Sequence, residues 1–165
     1  MKTVIFENKE YPEHITKGFH SRFIFPIAKE ICKGKGLDIG CGQKDWAFPG
    51  ARPIDMNIYD KYNAYVLPTG KYDYIFSSHC LEHLTDYVHA LELWIRKLNQ
   101  GGILFLYLPH PDCDYWKPYK MPTRKHLHQF DPEQMKECFH SLGLQNIFCS
   151  ERDLAYSFAI YGEKK

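Results

Sequence analysis

Ile103-Leu104-Phe105-Leu106-Tyr107-Leu108 narrows the fold more than any other segment, because six apolar residues follow one another without interruption. A strand with one wet face alternates polar and apolar side chains. An unbroken run therefore marks a strand covered on both faces, the condition of a central strand in a parallel α/β sheet. The flanking chain supplies the covering layers. Phe19, Phe23, Ile27 and Ile31 recur every fourth residue and predict a helical stripe, kinked or restarted at Pro26. Thr85 to Asn99 predicts a helix with Tyr87, Val88, Leu91, Trp94, Ile95 and Leu98 on one face, capped by Thr85 or Asp86 and closed by Gly101-Gly102. Asp131-Pro132-Glu133-Gln134 combines an N-cap, a proline at the first helical position and a glutamine at the third, so a helix starts there and ends at Gly143.

Strands are expected at Gly36–Gly40, at Ala51–Asp55 (weakened by Pro53), at Tyr72–Ser77 and near 144–150 and 154–161, with a short extended piece over Ala64–Leu67. Alternation of helix and strand from 19 to 150 implies a mostly parallel three-layer α/β sheet. The last two strands are joined too closely for a crossover, so the final one is antiparallel. At 165 residues the chain reads as one domain over 1–165, with 1–15 as an N-terminal arm and 109–130 as a long loop.

Charge and cysteine content exclude several classes. With 21 Lys+Arg against 20 Asp+Glu, the net charge of +1 argues against a basic nucleic-acid clamp, and no nucleic-acid partner is expected. The six cysteines form no CxxC pair and read as reduced thiols, which points to the cytoplasm. Val4-Ile5-Phe6 is too short for the apolar stretch of a signal peptide, and no run is long enough to span a membrane.

Leu37-Asp38-Ile39-Gly40-Cys41-Gly42 carries the chemistry. Ligands of parallel α/β sheets bind beyond the carboxyl ends of the strands, and glycines there let the backbone approach a ligand closely. The dinucleotide pattern GxGxxG fails because residue 45 is Asp45, and the phosphate-cradling GxxxxGK[ST] fails because Asp45 stands where Ser or Thr belongs. Asp38, two residues before the first glycine, would repel a pyrophosphate and welcome a cationic ligand bearing an ammonium and a sulfonium. Asp55, at the end of the next strand, suits ribose hydroxyls.

On these residues the chain resembles the class I S-adenosylmethionine-dependent methyltransferases. Asp38-Ile39-Gly40-Cys41-Gly42 resembles their first motif and Asp55 their ribose-binding acid. Asn63-Ala64-Tyr65-Val66-Leu67-Pro68 is similar to the family's Asp-Ala-x-x-Leu-Pro stretch, with Asn63 in place of the acid. Tyr72–Ser77 followed by Leu81-Glu82-His83-Leu84, and Asn99–Leu104, resemble its fourth and fifth strands. The resemblance runs over about 34–162 and implies a Rossmann-like doubly wound sheet, S-adenosyl-L-methionine as cofactor and methyl transfer to an oxygen or nitrogen. The cofactor residues it implies are Asp38, Ile39, Gly40, Cys41, Gly42, Asp55, Met56, Asn63, Ala64, Ser77, Ser78 and His79. Lys44 stands where a third glycine is common, and only 17 positions separate Asp38 from Asp55, so the family's first helix is short or lost. Cys41 reads as a small turn residue rather than a nucleophile. A catalytically idle binding or regulatory module on the same fold is the second reading.

His79-Cys80-Leu81-Glu82-His83 matches the HxxEH pattern of metal hydrolases, but that pattern needs both histidines on one helix face, and here it lies between a strand and a helix cap. No metal is expected from it; Glu82 and His83 instead order the turn over the cofactor. The loop 109–130 leaves the carboxyl end of the central strand and is long for a compact domain. It is expected to form a pocket for a small-molecule acceptor, glycosidic or anionic, through Tyr115, Trp116, Lys117, Tyr119 and Arg124. His110, directly after the strand, is the first candidate for the general base, with His83, His126 and His128 behind it.

Overall fold

The computed structural model describes residues 2–118 and 126–165. The apolar run becomes the heart of β6 (Leu98–Pro109), which pairs in parallel with β5 (Tyr72–Ser78) and antiparallel with β8 (Ser157–Lys164). Among the described residues the sheet has six strands. Outward from β5 lie β3 (Gly36–Ile39) and β4 (Ala51–Ile54), both parallel to it, and beyond β8 lies β7 (Leu144–Cys149), antiparallel to β8. The expected mostly parallel, Rossmann-like sheet with an antiparallel last strand is the architecture found.

Pleating sends successive side chains of β6 to opposite faces. Leu104, Leu106 and Leu108 pack with Ala90, Leu91 and Trp94 of α2 (Tyr87–Lys97) and with Met135 and Phe139 of α3 (Pro132–Ser141). Phe105 and Tyr107 pack on the other face with Ile24, Ala28 and Cys32 around α1 (Phe25–Ile31), beside Phe48 and Phe76. Asp86 caps α2 by accepting from the His89 N–H at 3.0 Å, and Asp131 caps α3 by accepting from the Glu133 N–H at 2.9 Å.

Two expectations change, and the N-terminal arm acquires a definite structure. The stripe through Phe19, Phe23, Ile27 and Ile31 is out of phase, with Phe23 and Ile27 40% and 56% exposed. Pro26 sits in the first turn of α1, so residues 19–23 never join that helix, and the buried line is Ile24, Ala28 and Cys32. Residues 64–67 form no strand. The Asn63 side chain captures the Tyr65 and Val66 N–H groups at 2.8 and 3.1 Å, folding the segment into a turn. The N-terminal arm is a hairpin of β1 (Thr3–Phe6) and β2 (Lys9–Pro12), and it seats Tyr11 and Ile15 against Cys113 and Trp116. Among the described residues no helix is long and apolar enough to cross a membrane.

Candidate active site

β3 ends at Ile39 and the chain turns at once through Gly40-Cys41-Gly42. Gly40 and Gly42 hold φ of +83° and +76°, left-handed values that a side chain disfavours. A Cβ at Gly40 would overlap Cys80 Sγ and Cβ, so the turn and the residues after β5 leave no space between them. Asp38 is buried, and its Oδ2 accepts from the Phe48 N–H at 2.6 Å, tying the segment 40–48 back to β3. Burial pushes its carboxyl up to about 7, partly opposed by that hydrogen bond and reinforced by the charge of Asp55. Asp55 accepts from the Gly42 N–H through Oδ2 and from the Asn57 N–H through Oδ1, both at 2.8 Å. Two acids at neighbouring strand ends thus fix the glycine turn while keeping further lone pairs for a ligand. The helix that follows this turn in the implied pattern is a single 3₁₀ turn over Lys44–Trp46. Burial pushes the Cys41 thiol up to about 12, which leaves it protonated and poorly nucleophilic.

A cavity lies on each side of Gly40. One, of about 520 Å³, is bordered by Asp55, Met56, Asn63, Ala64 and Tyr65; the other, of about 380 Å³, by Asp38, Cys41, Gly42, Trp46 and Ser78, with a wall of histidines. Gly40, Asn57, His79 and His83 border both, so the two make one crevice along the carboxyl ends of β3, β4 and β5. Ser78 Oγ is buried there with no hydrogen-bond partner among the described residues.

Long-range packing builds the histidine wall. His79, at φ +48°, lies 2.9 Å from Ser157 Oγ through Nε2 and 3.6 Å from Glu82 Oε1 through Nδ1. The His20 ring stacks on it at 4.7 Å, and Trp116 meets both rings edge-on at 4.9 Å. Glu82 is fully buried in a 3₁₀ turn over Leu81–His83, and its carbonyl accepts from the Leu127 and His128 N–H groups at 2.8 and 3.2 Å. Those two bonds bring His126 back over the glycine turn, with Nε2 at 3.9 Å from Glu82 Oε1, the same separation as His83 Nε2.

Most of the sequence-derived cofactor residues line this crevice: Asp38, Gly40, Cys41, Gly42, Asp55, Met56, Asn63, Ala64, Ser78 and His79. Ile39 and Ser77 are buried behind its floor, where Ser77 Oγ donates to the Ile39 carbonyl at 2.7 Å. The acceptor loop is placed differently from expectation. Tyr115 packs edge-on to Phe6, and Lys117, with Lys9, pairs with Asp114, so both face the N-terminal hairpin. Trp116 donates to the Ile15 carbonyl at 3.2 Å and forms the base beneath His20 and His79. Tyr119 and Arg124 lie outside the described residues.

Of the four histidines considered for the base, His83 and His126 border the crevice. His110 does not: its ring abuts Phe158, its Nδ1 accepts from the Asp112 N–H at 3.2 Å, and burial lowers its pKa. His128 is held by the Leu84 carbonyl at 2.8 Å and packs on Tyr87. Sequence reasoning missed Phe19, His20 and Trp46 as lining residues. No local pattern distinguishes them, because they reach the crevice through tertiary contacts alone.

A methyltransferase-domain family model matches residues 13–147, and the chain belongs to that family. Solved structures share its fold. A SAM-dependent methyltransferase of Thermotoga maritima superposes with a TM-score of 0.69 at 17% identity, covering 92% of this chain and 91% of its own. One from Archaeoglobus fulgidus gives 0.62 at 17% identity over 92% and 97%. The protein PigF, solved with S-adenosylhomocysteine (SAH), gives 0.55 at 16% identity over 92% of this chain and 53% of PigF. No curated protein matches the chain.

Proposed function

We propose that the protein is an S-adenosylmethionine-dependent methyltransferase acting on an oxygen or nitrogen of a small polar molecule. The observation that carries the reading is the continuous crevice at the carboxyl ends of β3, β4 and β5, floored by Gly40. Its chemistry suits the cofactor. Asp55 and Asn63 border the half that would take the adenosine, while Asp38 and the unpartnered Ser78 Oγ offer acceptors to an ammonium in the other half. When bound, S-adenosylmethionine supplies an electrophilic methyl group on a good leaving sulfur. The residues around it then contribute alignment, worth up to about 7–11 kcal/mol. Gly40 and Gly42 allow close approach, Asp55 orients the ribose, and Asp38 holds the turn through Phe48.

The 380 Å³ cavity suits a small acceptor. Its wall offers imidazoles and two carboxylates, Asp38 and Glu82, and Lys117 is spent on Asp114. The described residues therefore favour a neutral or cationic acceptor over the anionic one expected from the loop's lysines. His83 borders both cavities and so faces the part of the crevice that an acceptor would occupy. All six cysteines are free thiols, which suits a reducing cytosol. Calorimetry with S-adenosylmethionine and S-adenosylhomocysteine tests the reading. Stoichiometric binding that Gly40→Ala abolishes is the expected result, and no heat with either ligand refutes it.

A further inference from the structure

Beyond methyl transfer, we propose that Glu82, His83 and His126 form a binding site for one divalent cation of the zinc class, beside the glycine turn. One ligand atom from each residue lies within 4.8 Å of the other two, and Glu82 Oε1 is 3.9 Å from both His83 Nε2 and His126 Nε2. Tetrahedral zinc with ligands at about 2.0–2.2 Å needs neighbouring donor atoms about 3.4 Å apart. Closing those two separations from 3.9 Å is a contraction of about half an ångström each, and the two histidine ligand atoms, within 4.8 Å of one another, close by up to about 1.4 Å, within reach of side-chain rotation. Two imidazole nitrogens with one carboxylate oxygen suit zinc, cobalt or nickel, and suit magnesium or calcium poorly.

The surroundings orient these ligands as a metal site requires. His126 Nδ1 lies 2.8 Å from the Trp116 carbonyl. A carbonyl only accepts, so Nδ1 carries the hydrogen, and in the neutral ring Nε2, which faces Glu82, is the nitrogen that would ligate, the arrangement by which an outer partner fixes a metal-binding histidine. The Glu82 carbonyl, bound by the Leu127 and His128 N–H groups, holds the two chain segments in register. Glu82 and His126 are buried, whereas the His83 side chain is 35% exposed and gives an ion a way in. The HxxEH spacing alone misleads here, because Leu81–His83 is a single 3₁₀ turn and the third ligand comes from His126 rather than His79.

All three ligands border the cavity assigned to the acceptor, so a three-ligand ion would keep open positions toward it. An acceptor oxygen or nitrogen would bind there and be held beside the methyl donor; this last step rests on the methyltransferase reading, whereas the ion site does not. The test is titration of the untagged, metal-stripped protein with cobalt(II), followed by its visible absorption, and then competition with zinc(II). One equivalent of cobalt should give d–d bands that zinc abolishes. Glu82→Gln and His83→Ala should each weaken binding by about 100-fold or more, since losing a ligand exceeds the 10–100-fold typical of an outer partner. No bands in the wild type, or unchanged affinity in His83→Ala, the more exposed and milder variant, would overturn the proposal. Calorimetry with S-adenosylhomocysteine on the same samples separates the two readings. Cofactor binding without metal uptake removes the ion site and leaves methyl transfer standing; metal uptake without cofactor binding does the reverse.

Discussion

Asp38→Asn probes the charge at the centre of the proposed cofactor site. Burial raises the Asp38 pKa from 3.8 to about 7, a shift worth on the order of 4 kcal/mol at about 1.4 kcal/mol per unit. The folded-state value lies above the unfolded one, so the native protein binds more protons between those two values. This contribution to stability is therefore full below pH 3.8 and is lost as pH rises through about 7. Asparagine keeps an oxygen for the Phe48 N–H and removes the buried charge. The ligand-free variant should therefore melt higher than wild type at pH 8, with the gap closing near pH 5. Cofactor binding should respond in the opposite sense. An ammonium or sulfonium beside the carboxylate favours its ionised form, so below about pH 7 binding must expel a proton. Affinity should fall by up to about tenfold per pH unit, roughly 30-fold between pH 7 and 5.5. Isothermal titration with S-adenosylhomocysteine across pH 5.5–8.5 measures this directly. Comparison with Asp38→Asn separates it from titration of the neighbouring histidines, which both proteins retain. A wild-type affinity no steeper in pH than the variant's, or a variant that melts lower at pH 8, would refute the electrostatic account.

Gly40→Ala forces a side chain into a φ of +83° and into Cys80, so cofactor binding should disappear and the melting temperature should fall by several degrees in differential scanning fluorimetry. His110→Ala should keep near-wild-type turnover once an acceptor is found, because the ring faces Phe158 and Asp112; a loss of about 10²–10⁴, the usual effect of removing a general base, would return it to the mechanism. Asp114→Asn should raise amide exchange across the N-terminal hairpin, measured by mass spectrometry, since Lys117 and Lys9 hold the Asp114 carboxyl far below its ordinary range and bind hairpin to loop. In the wild type the same attachment should persist above the ordinary carboxylate value of 3.8 and be lost as the solution is acidified through the lower folded-state value.

Elements defined by local chemistry were legible in the sequence. The unbroken run at 103–108 forecast a strand with two buried faces, because apolar side chains on both faces must be covered wherever the strand lies, and Asp131-Pro132 forecast the start of α3, because a cap depends on contacts within a few residues. The stripe at 19–31 misled because periodicity ignores where proline lets a helix begin, and 64–67 misled because the Asn63 side chain outcompetes strand pairing. The glycine turn and its two acids were readable for the same local reason. The acceptor side was not. Its polar loop residues could face either the crevice or the first sixteen residues, and only the packing of Tyr11 and Ile15 against Cys113 and Trp116 decides between them.

That packing has a kinetic corollary. The Tyr11 hydroxyl reaches Asp114 across 103 positions of chain, and Trp116 reaches Ile15 across 101. Contacts so distant in sequence can form only once the chain between them has been brought together, so this corner is expected to consolidate late in folding. Since Trp116 also underlies His20 and His79, the half of the crevice that would choose the acceptor is expected to take shape after the half built on β3, β4 and β5, which rests on neighbouring strands. Acceptor recognition is therefore expected to fade on mild heating before the sheet melts, which faster amide exchange at residues 113–116 than in β5 and β6 would register.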